Sequence, residues 1–131
     1  MKAIILLLLL MPLFTGCDPG YSYTEEITNN STETIDFYLA SGSGASMMVD
    51  STIHLLPGTI AVVHQQGGLG NAENIICGSD FMGYTITVKT THQKMLLKDV
   101  TDPNNWTSTF RKRTASTEKH CFLEINDADL Q

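Results

Sequence analysis
Period-two alternation of apolar and polar side chains, cut at short intervals by Gly, Pro, Asn or Asp, is the feature that most constrains this chain. It is clearest in Tyr84 to Thr90, where Tyr84, Ile86 and Val88 point one way and Thr85, Thr87 and Lys89 the other. Side chains on a strand alternate between faces, so such a run buries one face and wets the other. Tyr21 to Thr28 repeats the pattern, with Tyr21, Tyr23 and Ile27 on one face and Ser22, Thr24, Glu26 and Thr28 opposite. Thr34 to Leu39 follows, with Ile35, Phe37 and Leu39 inward, and the intervening Asn29-Asn30-Ser31 predicts a hairpin turn. Ser51 to Leu56 and Thr59 to His64 flank Pro57-Gly58. A two-residue turn there predicts a second hairpin, with Leu56 opposite Thr59, His54 opposite Ala61 and His64 opposite Ser51.

The remaining segments are read from the same signals. Ser41 to Ser46 is a Gly/Ser loop, Met47 to Val49 a short strand start, Gln65 to Ala72 a glycine-rich loop and Asn74 to Cys77 a short apolar piece. Thr91-His92-Gln93 turns the chain back into Lys94 to Val100. Trp106 to Arg113 fits either a strand or a short helical turn, Lys119 to Ile125 is the last strand, and Asn126 to Gln131 is a polar tail. No apolar stripe of period 3.6 persists beyond two turns. Seven or eight short strands with regular turn signals imply an all-β fold, a single antiparallel β-sandwich over residues 21–131.

Ahead of that domain stands a different kind of segment. Met1-Lys2 is a basic start, Ala3 to Leu10 is almost pure Ile and Leu, and Met11 to Phe14 extends the run to Thr15-Gly16-Cys17. A basic n-region, an apolar h-region and small residues before a cut site describe a cleaved secretory signal over residues 1–16. A retained membrane helix would need about 20 apolar residues, and Pro12 and Gly16 interrupt this run. Leu13-Phe14-Thr15-Gly16-Cys17 resembles the lipobox of bacterial lipoproteins, with Phe14 where Leu is usual. The resemblance implies that Cys17 is acylated, by chains such as palmitate, and becomes the first residue of the mature protein. Residues 17–20 then form a lipidated tether, and the membrane is a partner through the lipid on Cys17.

The 131-residue chain carries 8 Lys and Arg against 14 Asp and Glu, a net charge of −6, and Lys2 leaves with the signal. Such an acidic surface argues against nucleic acid and against bare anionic lipid as partners. Of the 3 cysteines, Cys17 is taken by the lipid, which leaves the even pair Cys77 and Cys121. An oxidising compartment favours a disulfide between them over two buried thiols.

Taken together, the lipobox, Ile27 to Thr32, the Leu55-Leu56-Pro57-Gly58 turn, Asn105-Trp106 and the closing Phe122-Leu123-Glu124-Ile125 with Asp127 to Leu130 resemble small Bacteroidetes lipoproteins of no assigned activity. That resemblance implies an immunoglobulin-like sandwich in the bacterial cell envelope, lipid-anchored at the outer membrane, with no catalytic residues to carry over. Asp50-Ser51-Thr52 also resembles the periplasmic O-glycosylation motif of that phylum, which makes Ser51 a candidate acceptor.

Catalytic and metal motifs at diagnostic spacing are lacking. His54, His64, His92 and His120 show no His-x-His or His-Glu-x-x-His spacing, so no metal site is expected. Gly-x-Ser-x-Gly is absent, and Gln66-Gly67-Gly68-Leu69-Gly70 lacks the Lys-Ser/Thr of a phosphate loop. No cofactor is called for. Arg111-Lys112-Arg113 and Lys119 hold half of the 8 basic residues and are candidate contacts for polyanions. Trp106 nearby is a candidate for stacking on a sugar, but core is the favoured reading, since the chain has only one Trp to cap a small sandwich. The leading expectation is a non-enzymatic binding or structural module whose envelope protein or glycan partner the sequence does not name. The alternatives are a carbohydrate-binding module with Trp106 exposed, or a small envelope hydrolase or enzyme inhibitor. A hydrolase requires His64, His92 or His120 to meet Asp80 or Asp99 in one cleft.

Overall fold
The computed structural model describes residues 19–41 and 51–131. The signal segment, Cys17, the Gly/Ser loop beyond Ser41 and the strand expected at Met47 to Val49 lie outside the described residues. Seven strands are described: β1 (Gly20–Asn29), β2 (Ile35–Ser41), β3 (Ser51–Leu55), β4 (Ile60–Leu69), β5 (Tyr84–Thr90), β6 (Thr107–Arg113) and β7 (Ser116–Ile125). They form a four-stranded sheet ordered β4-β1-β7-β6 and a three-stranded sheet ordered β3-β2-β5. The core lies between them, where Tyr23, Ile27, Ile35, Phe37, Leu123 and Ile125 are at most 1% exposed. The inward positions expected from alternation on β2 and β5 are the buried or half-buried ones.

Two features depart from a wholly antiparallel immunoglobulin-like sandwich. β1 and β7 pair in parallel, from Gly20 opposite Ser116 to Asn29 opposite Ile125. Parallel neighbours need a long crossover, and here the whole intervening chain supplies it. The constant-type immunoglobulin layout puts the first, second, fourth and fifth strands in one sheet. Here the second and fifth strands share a sheet with the third, while the first and fourth pair in the other.

Neither expected hairpin forms, because both turns carry the chain from one sheet to the other. After β1, the Asn29 side chain holds the corner. Its Oδ1 accepts from Ser31 N at 3.0 Å and Ser31 Oγ at 2.6 Å, and its Nδ2 donates to Glu33 O at 2.7 Å and Leu55 O at 3.1 Å. A buried amide with all these bonds made is a stable hinge between layers. At the second corner, Gly58 takes φ 73° and donates to Asn29 O at 2.7 Å, while Thr59 N donates to Leu56 O at 3.1 Å. His54 therefore faces Asp36 and His64 faces Glu25, in place of the expected Ala61 and Ser51.

Three further segments differ from expectation. Gln65 to Leu69 continues β4 as strand. A Cβ on Gly67 would meet Tyr21 O at 3.2 Å, and one on Gly68 would meet the Tyr21 ring at 3.1 Å, so these glycines serve close approach to β1. Lys94 to Val100 does not return along β5. Thr90 Oγ1 accepts from Lys94 N at 2.7 Å and donates to Lys94 O at 3.0 Å, closing the turn locally. Leu96 then bridges to Leu130, so the expected polar tail packs back with Leu130 buried. Residues 103–118 form a 3₁₀ turn (Pro103–Asn105) capped by Asp102, then edge strand β6 and the start of β7, so of the two readings open for Trp106 to Arg113 it is strand from Thr107 on. The expected tether ends a residue early, since Gly20 already belongs to β1.

Cys77 and Cys121 form a disulfide, with their Cα atoms 5.7 Å apart. It ties the segment after β4 to the middle of β7.

Candidate functional site
Among the described residues, Glu25 and Asp80 each keep a buried carboxylate oxygen without a hydrogen-bond partner. Alternation along β1 turns Tyr23, Glu25 and Ile27 inward, and all three are at most 1% exposed. Glu25 Oε1 accepts from the Tyr23 hydroxyl and, at 2.5 Å, from Gly78 N. Glu25 Oε2 is buried with no hydrogen-bond partner. A bulge in the β1–β4 pairing skips Val63 between the partners of Glu25 and Glu26. Bulges re-aim side chains, and both Val63 and His64 line the same hollow. The 3₁₀ turn Ser79–Phe81 brings Asp80 and Phe81 to it from the other side. His64 Nε2 and Asp80 Oδ2 stand 3.6 Å apart, an ion-pair contact beyond a direct hydrogen bond, and both atoms are buried without a hydrogen-bond partner. The hollow is about 120 Å³, with Leu39, Ile53 and Tyr84 completing an apolar wall and Ser51 at its edge.

Burial pushes the Glu25 carboxyl above its usual range, against the bonds from Tyr23 and Gly78 that favour its charged form. Burial, and then the bond to Glu25, push the Tyr23 phenol up. Glu33 is the instructive contrast. It too is only 3% exposed, and burial acts to raise it. Bonds from His92 and Lys94 outweigh that, with His92 N at 3.0 Å, His92 Nδ1 at 2.9 Å and Lys94 Nζ at 3.2 Å, so its carboxyl lies below the usual range. Glu33 is a satisfied structural ion, whereas Glu25 keeps one oxygen bare.

A pH dependence follows. The folded chain holds the Glu25 proton more tightly than the unfolded chain, whose carboxyl titrates near 4.5. The stability this proton contributes is complete below that value and is lost as pH rises through the higher folded pKa. Glu25→Gln is neutral throughout and keeps an acceptor for Tyr23 and Gly78. Melting curves from acid to neutral pH are expected to show Glu25→Gln gaining on the native protein as pH rises. Tyr23, His64 and Asp80 face Glu25 and are common to both proteins, as are the lowered carboxyls of Glu33, Asp99, Asp127 and Asp129. A gap independent of pH would contradict the raised carboxyl.

Of the histidine–aspartate meetings a hydrolase requires, His64 with Asp80 is brought about. His92 goes to Glu33 and His120 to Glu26, at 3.1 Å. Asp99 accepts from Thr101 N and Oγ1 at 2.8 Å within its own loop. Among the described residues no hydrogen bond joins Ser51 to His64, and no three His, Cys, Asp or Glu side chains gather as metal ligands do. Ser51 is exposed at the start of β3.

Trp106 is 7% exposed and donates from Nε1 to Val100 O at 2.8 Å, so it is the core residue favoured from sequence and not the exposed sugar-stacking contact of the alternative. Of the basic cluster, Arg111 and Lys119 line one hollow across β6 and β7 together with Glu118 and His120. Lys119 points to Ile75 O at 2.5 Å and Glu73 O at 3.2 Å. Arg111, Lys112 and Arg113 are exposed on alternate faces of β6, with Arg113 Nε 3.3 Å from Glu118. The sequence reading passed over Glu25, though its place between Tyr23 and Ile27 was the available signal.

No protein-family model matches the chain, and no curated protein or solved structure matches it significantly. Among the described residues the class defined is a β-sandwich of two sheets and seven strands that carries the Cys77–Cys121 disulfide.

Proposed function
We propose that this chain is an envelope lipoprotein, anchored by acyl chains on Cys17, whose sandwich is a non-enzymatic binding module. The observation that carries the reading is the Cys77–Cys121 disulfide. With those two bonded to each other, Cys17 is the remaining thiol of 3, and it directly follows the apolar leader and Thr15-Gly16. The disulfide suits an oxidising compartment, and the leader supplies a route to one.

The same reading orients the domain. Only Asp18 and Pro19 separate Cys17 from Gly20, so β1 begins within about 11 Å of the anchored residue. Gly20 N donates to Ala115 O at 3.0 Å, and Gly20 pairs with Leu69, which is 74% exposed. The β6–β7 tip, with Lys112 and Arg113, therefore shares the anchored end, while the opposite end is free to meet a partner.

Membrane fractionation tests the anchor. Native protein is expected in the membrane fraction and a Cys17→Ala variant in the soluble one. Native protein in the soluble fraction would overturn the proposal.

A further inference from the structure
We infer that the outer face of the four-stranded sheet holds a binding site for a sugar acid, a ring bearing several hydroxyls and one carboxylate. This gives the binding-module reading a ligand class and rests on that reading. Strand register brings the residues together. Ser22, Glu118 and Arg111 lie abreast on β1, β7 and β6, and Thr24, His120 and Thr109 form the next row on the same face. Neighbouring strands stand about 4.8 Å apart, so each row spans about 10 Å from β1 to β6. With Phe122 from the row after His120, these side chains line a hollow of about 400 Å³. That volume lies toward the lower end of the roughly 300–1,000 Å³ of small-molecule sites.

The polar groups here divide into those already paired and those still available. Glu118 is held by Arg113, whose Nε lies 3.3 Å from Oε1 and whose Nη2 donates to Oε2 at 3.3 Å. His120 Nε2 lies 3.1 Å from Glu26 Oε2, and Lys119 Nζ donates to the Ile75 and Glu73 carbonyls. Among the described residues the Arg111 side chain makes no ion pair or hydrogen bond, and neither do the Ser22, Thr24 and Thr109 hydroxyls. Arg111, Ser22 and Thr109 are exposed, so a ligand reaches them directly from solvent. The available charge is therefore one guanidinium, whose planar fork matches a carboxylate bidentately. A hydroxyl both donates and accepts, so the Ser and Thr side chains suit the hydroxyls of a sugar in either role. Phe122, with its ring centroid 4.2 Å from that of His120, adds apolar area for the C–H groups of the ring. None of these contacts involves the buried Trp106.

The test is titration of the full-length protein with glucuronate, followed by backbone amide NMR. Saturable shifts are expected at Thr24, Thr109 and His120. Arg111→Ala, a change at an exposed side chain, should weaken binding by about tenfold or more, the usual loss for hydrogen bonds to a charged group. Thr24→Val combined with Thr109→Val should weaken it by about fivefold or more. Glucose, which lacks the carboxylate, and acetate, which lacks the hydroxyls, should each bind about tenfold less tightly. Equal binding by either control, no saturation with glucuronate, or unchanged affinity in Arg111→Ala would overturn the inference. Methyl glucuronide binding as well as glucuronate would assign the site to the end of a glycan, and loss of binding on that capping to a free sugar acid. Failure here leaves the fractionation of Cys17→Ala unaffected, so loss of the site and loss of the anchor are separately visible.

Discussion

Replacing both Cys77 and Cys121 by Ala is expected to lower the stability of the domain by about 4 kcal/mol. The bond closes a loop with a sequence separation of 44, and in the chain-entropy account a loop of that size gives about this figure. The placement favours the full effect. Cys121 is 0% exposed on β7, the strand that pairs with both β1 and β6. Cys77 belongs to the segment that delivers Gly78 and Asp80 to Glu25. The loss should be read by denaturant unfolding of native and double-variant protein, each with and without reductant. Reductant should destabilise the native protein by a similar amount and leave the variant unchanged. A loss below about 1 kcal/mol, the size of an ordinary point substitution, would mean that the pair is not bonded in the folded chain.

Gly78→Ala is expected to cost about 3 kcal/mol, from two separate sources. Gly78 has φ 79°, a left-handed conformation that costs an L-residue about 1–2 kcal/mol. A Cβ there would also lie 2.7 Å from Trp106 Nε1 and 2.9 Å from Val100 O. Neither neighbour yields easily, because Trp106 is buried and its Nε1 bonds that same carbonyl. Forcing extra volume into such packing costs about 1–3 kcal/mol. A double-mutant cycle separates the two contributions. Trp106→Phe alone should destabilise, because it removes the bond to Val100 and part of the core. With Trp106→Phe present, Gly78→Ala should cost less than in the native background, since Nε1 is gone. Additivity within about 0.5 kcal/mol would show that the indole does not restrain this glycine.

Where strands alternate strictly, the residues that form them were legible, and which strands pair was not, for a physical reason. Alternation reports on one chain segment and the face it buries, so Tyr84 to Thr90 and Ile35 to Leu39 were readable directly. Pairing depends on where a turn sends the chain. The Asn29 and Pro57-Gly58 turns have local chemistry that serves a hairpin or a step between sheets equally well. What decides is Asn29 bonding at once to Glu33 O and Leu55 O, residues distant in sequence from one another. Gly67 and Gly68 read as loop because their reason for being glycine is Tyr21 on the neighbouring strand. Likewise, the Lys94 segment is turned aside by the Thr90 hydroxyl, which no periodicity encodes.

The candidate site divides along the same line. The parity of Glu25 on β1 was open to inspection, and a charged residue at an inward position is the available sequence sign of such a pocket. Its partners were not. His64 arrives through a bulge at Val63, and Asp80 through a short 3₁₀ turn after a disulfide-tethered segment. Trp106 and Arg111 to Arg113 drew notice as residue types, yet type alone does not separate a core indole from an exposed one.

The central claim is that Cys17 begins the mature protein and carries acyl chains. Intact-mass measurement of the native protein, with mapping of its N-terminal peptide, tests it most directly. The account predicts a chain that begins at Cys17, heavier than its sequence by the mass of the acyl groups, with Cys77 and Cys121 joined. An unacylated chain with Cys17 a free thiol would contradict it.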